Sequence, residues 1–268
     1  MSRITRRNSI ICNSRQSHLC PKYPKPFLKP LEIPPLEQGM EANPSGFKNP
    51  SERGLPYHHI EIKTSDGIVL RGWKVLQINS KERPTIVFFH ENAGNIGTRL
   101  SFIEELYKRN RVNVIIVAYR GYSYSDGKPS EKGLMIDSHT IMEYATSQSD
   151  IDLKKVFVMG RSLGGAVAIY SMSSRNYNIA GLILENTFTS IPDMVEVIFP
   201  AVSFLKGLVL RNYWPSNKRI SKITTPTLFV KAEKDEIVPP IMMDQLYNLA
   251  NPTKKFMVFN LFLYKKSI

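Results

Sequence analysis

Fifteen residues constrain the fold of this chain more than any others: Val156-Phe-Val-Met-Gly160-Arg-Ser162-Leu-Gly164-Gly-Ala-Val-Ala-Ile-Tyr170. Val156 to Met159 is an apolar run that reads as a buried strand, while Leu163, Ala166, Val167 and Tyr170 recur at helical spacing. Between the two lies a G-x-S-x-G turn, Gly160-Arg161-Ser162-Leu163-Gly164. A strand that turns directly into a helix brings the two backbones together, so the positions two residues either side of the serine must be small. The serine hydroxyl then stands at a helix N-terminus, where unpaired N–H groups and the helix dipole favour negative charge. The pattern predicts a nucleophile elbow with Ser162 as nucleophile; a Gly-rich turn carrying an idle serine is the plainer alternative.

Around this stretch the chain has a βα rhythm. Apolar runs fall at Ile86–Phe89, Val114–Ala118, Val156–Met159, Leu182–Leu184, Leu228–Val230 and Phe256–Phe259. Amphipathic patterns lie between them, including Leu100, Ile103, Leu106 and Tyr107, then Leu134, Ile141, Met142 and Ala145, and later Met243, Leu246, Tyr247 and Ala250. Such alternation predicts an α/β domain over residues 57–259, a mostly parallel sheet with helices on both faces. Tyr57–Lys63 and Ile68–Leu76 alternate around Ser65-Asp66-Gly67 and predict an antiparallel hairpin at its start. Residues 187–214 break the rhythm, and Phe188, Phe199, Phe204, Tyr213 and Trp214 mark them as a cap-like insertion, lining an apolar pocket or simply packing.

A net charge of +13 suggests nucleic acid until it is located. Residues 1–30 hold seven basic residues and no acid, and the last eighteen hold four and no acid, leaving about two for the body. The basicity belongs to the ends, so a nucleic-acid groove is not expected. Residues 1–56 carry nine of the eighteen prolines without apolar periodicity and read as a disordered or loosely docked arm. The seven basic residues of this arm would support, at most, weak and salt-sensitive contact with anionic lipid. Cys12 and Cys20, both in the arm, have no metal-ligand spacing; they read as free thiols or as palmitate acceptors in a reducing compartment. The most apolar long stretch, Val195 to Leu210, is interrupted by Glu196, Pro200 and Lys206, so no bilayer-spanning segment is expected. An intracellular location, cytoplasmic or peripheral to a membrane, follows from that reading.

In a parallel sheet, functional residues gather at the carboxyl ends of the strands. After Ile86–Phe89 comes His90-Glu-Asn92-Ala-Gly-Asn95, a small polar loop placed to give a backbone N–H to an oxyanion hole. Asn92 is the expected donor, with Glu91 as the neighbouring alternative, and the N–H of Leu163 is the second. Asp235, after Leu228–Val230, occupies the position of an orienting carboxylate in a Ser, Asp, His chain order; Glu185 is the second choice. The five histidines, His18, His58, His59, His90 and His139, all precede Ser162, so no base follows Asp235. His90 reads as a structural residue at a strand end, His58-His59 as strand residues facing opposite ways rather than a metal pair, and His139 as a helix residue. Gly121 to Pro129 looks like a phosphate loop but has the wrong spacing, and proline where Ser or Thr must bind magnesium. No motif calls for a metal or another cofactor.

Taken together, these residues resemble the serine hydrolases of the α/β-hydrolase superfamily, and within it the alpha/beta hydrolase domain-containing proteins of the bud-emergence type. The resemblance runs from about Gly54 to Phe259. It is carried by Gly54-Leu-Pro-Tyr57, Glu91-Asn-Ala-Gly-Asn-Ile-Gly97, Tyr119-Arg-Gly-Tyr122, Gly160 to Ala168, Glu185-Asn-Thr-Phe-Thr-Ser-Ile-Pro192 and Asp235-Glu-Ile-Val-Pro-Pro240. It implies Ser162 as nucleophile, Asp235 as triad acid, and hydrolysis of acyl esters or thioesters in a lipid, a small ester or an acylated protein. It also implies an N-terminal membrane helix or palmitoylated cysteines, and a Gly-x-His loop with a closing helix after the last strand. Here a basic arm stands at the first place and an atypical tail, 260–268, at the second. Two expectations follow: a chain that is nearly inactive or a non-catalytic binding module as written, and a native protein that continues differently after about Asn260. A missing helix would uncover one sheet face, which makes the second the preferred reading.

Overall fold

The alternating apolar runs and helical patterns become a single eight-stranded sheet in the computed structural model, which describes residues 40–198 and 211–260. The strands are β1 (His58–Lys63), β2 (Val69–Val75), β3 (Thr85–Phe89), β4 (Asn113–Val117), β5 (Val156–Arg161), β6 (Gly181–Glu185), β7 (Thr227–Ala232) and β8 (Lys255–Asn260). Their spatial order is β1-β2-β4-β3-β5-β6-β7-β8. The hairpin β1–β2 is antiparallel, β2 meets β4 antiparallel, and all pairs from β4 to β8 are parallel, as the sequence pattern requires. The crossovers carry the helices α1 (Leu100–Lys108), α2 (Glu131–Thr146), α3 (Leu163–Ser174), α4 (Ile191–Ile198), α5 (Ser216–Arg219) and α6 (Pro240–Leu249).

Register decides which residues share a face. Phe88, Met159, Ile183, Leu228 and Phe256 are successive register partners on one face, and Phe88 meets Phe102 of α1 at 5.4 Å between ring centroids. Phe89, Gly160, Leu184 and Phe229 line up on the other face, where Phe229 meets Tyr247 of α6 at 5.3 Å. Helices therefore cover both faces near the sheet centre. At the far edge the α1 face is different. Phe256 and Val258 of β8 are 62% and 50% exposed, and among the described residues nothing covers them.

Residues 40–56 depart from the arm expected at the N-terminus. Met40 and Leu55 are buried, and Asn43 and Asn95 exchange two side-chain hydrogen bonds of 2.8 and 2.9 Å. A methyl group added at Gly97 would lie 2.0 Å from the Phe47 carbonyl oxygen, so that approach is backbone to backbone. Polar reciprocity and close contact dock this stretch, neither of which an apolar period reveals. The basic residues of 1–30, with Cys12 and Cys20, lie outside the described residues, as does the middle of the insertion, 199–210. The insertion's two ends meet: the Ile191 N–H donates to the Tyr213 carbonyl at 2.9 Å, and Trp214 is buried. Among the described residues no helix is long and apolar enough to cross a membrane.

Candidate active site

Arg161 ends β5 and Leu163 begins α3, which leaves Ser162 alone to make the turn. It does so at φ 51°, ψ −120°, a backbone region that L-residues enter at a cost of about 1–3 kcal/mol. Three glycines make the turn possible through close approach. A methyl group at Gly160 would lie 2.3 Å from the Gly164 carbonyl oxygen, one at Gly164 would lie 1.9 Å from that of Phe89, and one at Gly165 would lie 2.4 Å from Cβ of Thr187. The strained residue is pinned on both sides: its N–H donates to the Glu185 carbonyl at 3.0 Å, and its own carbonyl accepts from Thr187 Oγ1 at 2.7 Å. Ser162 is half-buried, and its hydroxyl has no hydrogen-bond partner among the described residues. Leu163 is the first helical residue, so its N–H has no acceptor within α3.

The loop after β3 lies beside this turn, since Gly164 packs against the carbonyls of Phe89 and His90. Three of its residues are each held by a side chain from outside it. The Glu91 carboxylate lies 3.2 Å from Nη1 of Arg161 and 3.0 Å from Nε of Arg99. Asn92 Oδ1 accepts from the Tyr122 hydroxyl at 2.6 Å, and the Ala93 carbonyl accepts from Arg99. The Asn92 N–H meets no acceptor among the described residues. Tyr122 comes from the loop that imitates a phosphate loop, so those glycines serve turns beside the site: Gly121 and Gly127 have φ of 75° and 83°.

Asp235 follows β7 on the same edge of the sheet. Its Oδ1 accepts from the N–H groups of Ile237 and Val238 at 2.8 and 2.9 Å, while its other oxygen is unengaged among the described residues. Its charge is felt at Glu185, whose carbonyl holds Ser162. Glu185 itself is committed elsewhere, since its carboxylate binds Nε and Nη2 of Arg161 at 2.8 and 2.7 Å. Burial pushes the Glu185 carboxyl above its ordinary range, Arg161 pulls it back, and Glu91 and Asp235 add to the rise.

Among the described residues no histidine is hydrogen-bonded to Ser162, and His90 and His139 are engaged elsewhere. His90 is fully buried and stacks on Tyr119 at 4.1 Å. Its Nδ1 bonds the Glu91 carbonyl at 2.8 Å and its Nε2 accepts from the Tyr119 N–H at 3.4 Å, an arrangement that requires a neutral ring. Burial lowers its pKa to about 4. His139 Nδ1 meets the Tyr177 hydroxyl at 2.9 Å and its Nε2 meets Ser174 Oγ at 3.3 Å. His58 and His59 sit on the edge strand β1, where His59 contacts Tyr57. Among the described residues no group of three or more His, Cys, Asp or Glu is placed to hold a metal.

What sequence reading missed is the set Glu91, Arg99, Arg161 and Glu185. Its signal was present: Arg161 inside the G-x-S-x-G turn and Glu185 at the end of an apolar run are charges that no solvent-facing period explains.

A family profile described as "Serine aminopeptidase, S33" matches residues 80–219. The chain is 42% identical to Protein bem46 of Schizosaccharomyces pombe over 236 residues, covering 87% of this chain and 77% of that one. It is 37% identical to the alpha/beta hydrolase domain-containing protein WAV2 of Arabidopsis thaliana, covering 78% of this chain and 73% of the other. Among solved structures, an esterase of Pyrococcus furiosus shares the fold at a TM-score of 0.62 and 19% identity, covering 79% of this chain and 84% of that one.

Proposed function

The chain belongs to the α/β-hydrolase family of the serine aminopeptidase type, and from that premise we propose that it is a serine hydrolase acting on acyl esters or thioesters. The strained, glycine-squeezed Ser162 carries this reading, because a backbone cost of that kind persists where the surrounding structure and the chemistry require it. In the reaction Ser162 Oγ attacks the acyl carbonyl carbon and gives its proton to a base. The carbonyl oxygen becomes an oxyanion facing the N–H groups of Leu163 and Asn92. Collapse expels the alcohol or thiol, which takes up the proton, and water then attacks the acyl-serine to release the acid and restore the hydroxyl. Asp235, with one carboxylate oxygen unengaged, is the group that would orient the base.

The base is the weak point. A serine keeps its proton at neutral pH, and in a serine protease the loss of the histidine costs on the order of a millionfold in kcat. With the nitrogens of His90 and His139 already engaged, the described residues favour a second reading: a binding module built on a hydrolase frame, which takes up an acyl-bearing ligand without turning it over.

A fluorophosphonate probe separates the two. Slow labelling of the purified chain that maps to Ser162 and disappears in Ser162→Ala is the outcome expected of the hydrolase. A folded protein that resists the probe overturns that reading and leaves the binding module.

A further inference from the structure

We infer that Glu91 is a positioning residue, which through Arg161 and Arg99 fixes the backbone N–H of Asn92 where an oxyanion would form. This rests on the serine-hydrolase reading of Ser162. A carboxylate beside an oxyanion hole is at first sight the wrong charge, since it repels the charge that develops in the transition state. Here it is flanked by two guanidinium groups. Arg161 precedes the nucleophile, lies with its guanidinium carbon 4.5 Å over the Phe102 ring, and reaches both Glu91 and Glu185. It therefore joins the loop after β3, the elbow after β5 and the end of β6 through one planar group. Arg99, at the start of α1, takes the Ala93 carbonyl and pairs with the other Glu91 oxygen. That contact is 3.0 Å long but off the hydrogen-bond direction, so charge rather than alignment holds it.

The four side chains are 6–16% exposed, where ion pairs are poorly screened by water and salt. The loop they hold is short, and Asn92 lies between the two anchored residues Glu91 and Ala93. A donor fixed in this way meets the developing charge without reorganising, and this is the source of oxyanion-hole stabilisation.

The sign of one substitution distinguishes positioning from bare charge. Glu91→Gln keeps the shape of the side chain and removes a negative charge near the hole. If charge alone mattered, Ser162 would react faster. Positioning predicts slower reaction, by roughly tenfold, less than the 10²–10³ that deletion of a donor costs. The loss should fall on the inactivation rate constant for the fluorophosphonate, with its binding constant unchanged, and Glu91→Asp should recover part of it. Arg99→Lys, which keeps the charge but loses the fork, should lower the same rate constant. Should Glu91→Gln fail to fold, Arg99→Lys decides alone.

Amide hydrogen exchange over residues 91–95 provides a readout independent of the chemistry, and it should speed up in both variants relative to the parent. Exchange and labelling unchanged in folded variants would overturn the inference and leave the hydrolase reading standing. A parent that ignores the probe, with exchange accelerated in the variants, would sink the hydrolase reading while leaving the loop clamp in place.

Discussion

Strands β3 and β4 bury every residue, whereas β8, four places along the same sheet from β3, leaves Phe256 and Val258 at least half bare. The sequences of these strands are similarly apolar. Position makes the difference, since β3 and β4 have a strand on each side with α1 packed across them, while among the described residues β8 has one neighbour and an open face. The two halves of the candidate site inherit this contrast. Ser162 and the loop that carries Asn92 grow from the closed centre, where sterics leave a single arrangement. Asp235 grows from β7, beside the open edge, and its carboxylate is fixed mainly by two N–H groups of its own loop.

The most severe way to break the comparison is to add one carbon at the centre. Gly164→Ala places a methyl group 1.9 Å from a backbone carbonyl that cannot rotate away. Overpacking typically costs about 1–3 kcal/mol when side chains can shift, so a clash with backbone should exceed about 3 kcal/mol. Urea unfolding or soluble yield measures it, and a loss below about 1 kcal/mol would mean that strand and helix are farther apart than described.

Next in size is the buried ring at the start of the loop after β3. His90 falls from its ordinary 6.5 to about 4 because burial penalises the charged form. The unfolded chain binds this proton between those values and the folded chain does not. The stabilisation is therefore full above pH 6.5, declines as the pH falls and is spent near pH 4; its size is about 3 kcal/mol. His90→Gln should flatten that part of the stability profile relative to the parent, as read from urea midpoints at pH 7 and pH 4.5. Parallel profiles would show that the ring titrates normally and is not buried neutral.

Such residues mark what a linear sequence can and cannot reveal. The apolar runs located every strand from β3 to β8, because a buried parallel sheet needs continuous apolar segments, and the strand ends then put Ser162, Asn92 and Asp235 on one edge. His90 was legible as structural from its place at a strand end. The charges at 91, 99, 161 and 185 were not legible as a set, since they come from four separate segments and only the register of β3, β5 and β6 brings them together. Residues 40–56 were missed for a different reason. They dock through an asparagine pair and a backbone contact at Gly97, and neither produces a period.

The smallest expected effect belongs to the open edge, and it tests whether that edge is open in solution. Phe256→Thr with Val258→Thr replaces two exposed apolar side chains by a polar residue that strands also favour. If water already reaches them, stability should stay within about 0.5 kcal/mol of the parent, the range of ordinary surface changes. The matched change at the centre, Val87→Thr on β3, buries a hydroxyl where the valine is fully enclosed and should cost about 1–3 kcal/mol. A loss at β8 as large as that at β3 would mean that the face is covered in solution, by residues outside those described or by a second copy. Repeating the measurement across a hundredfold range of protein concentration separates these, because cover by a second copy weakens on dilution and cover within one chain does not.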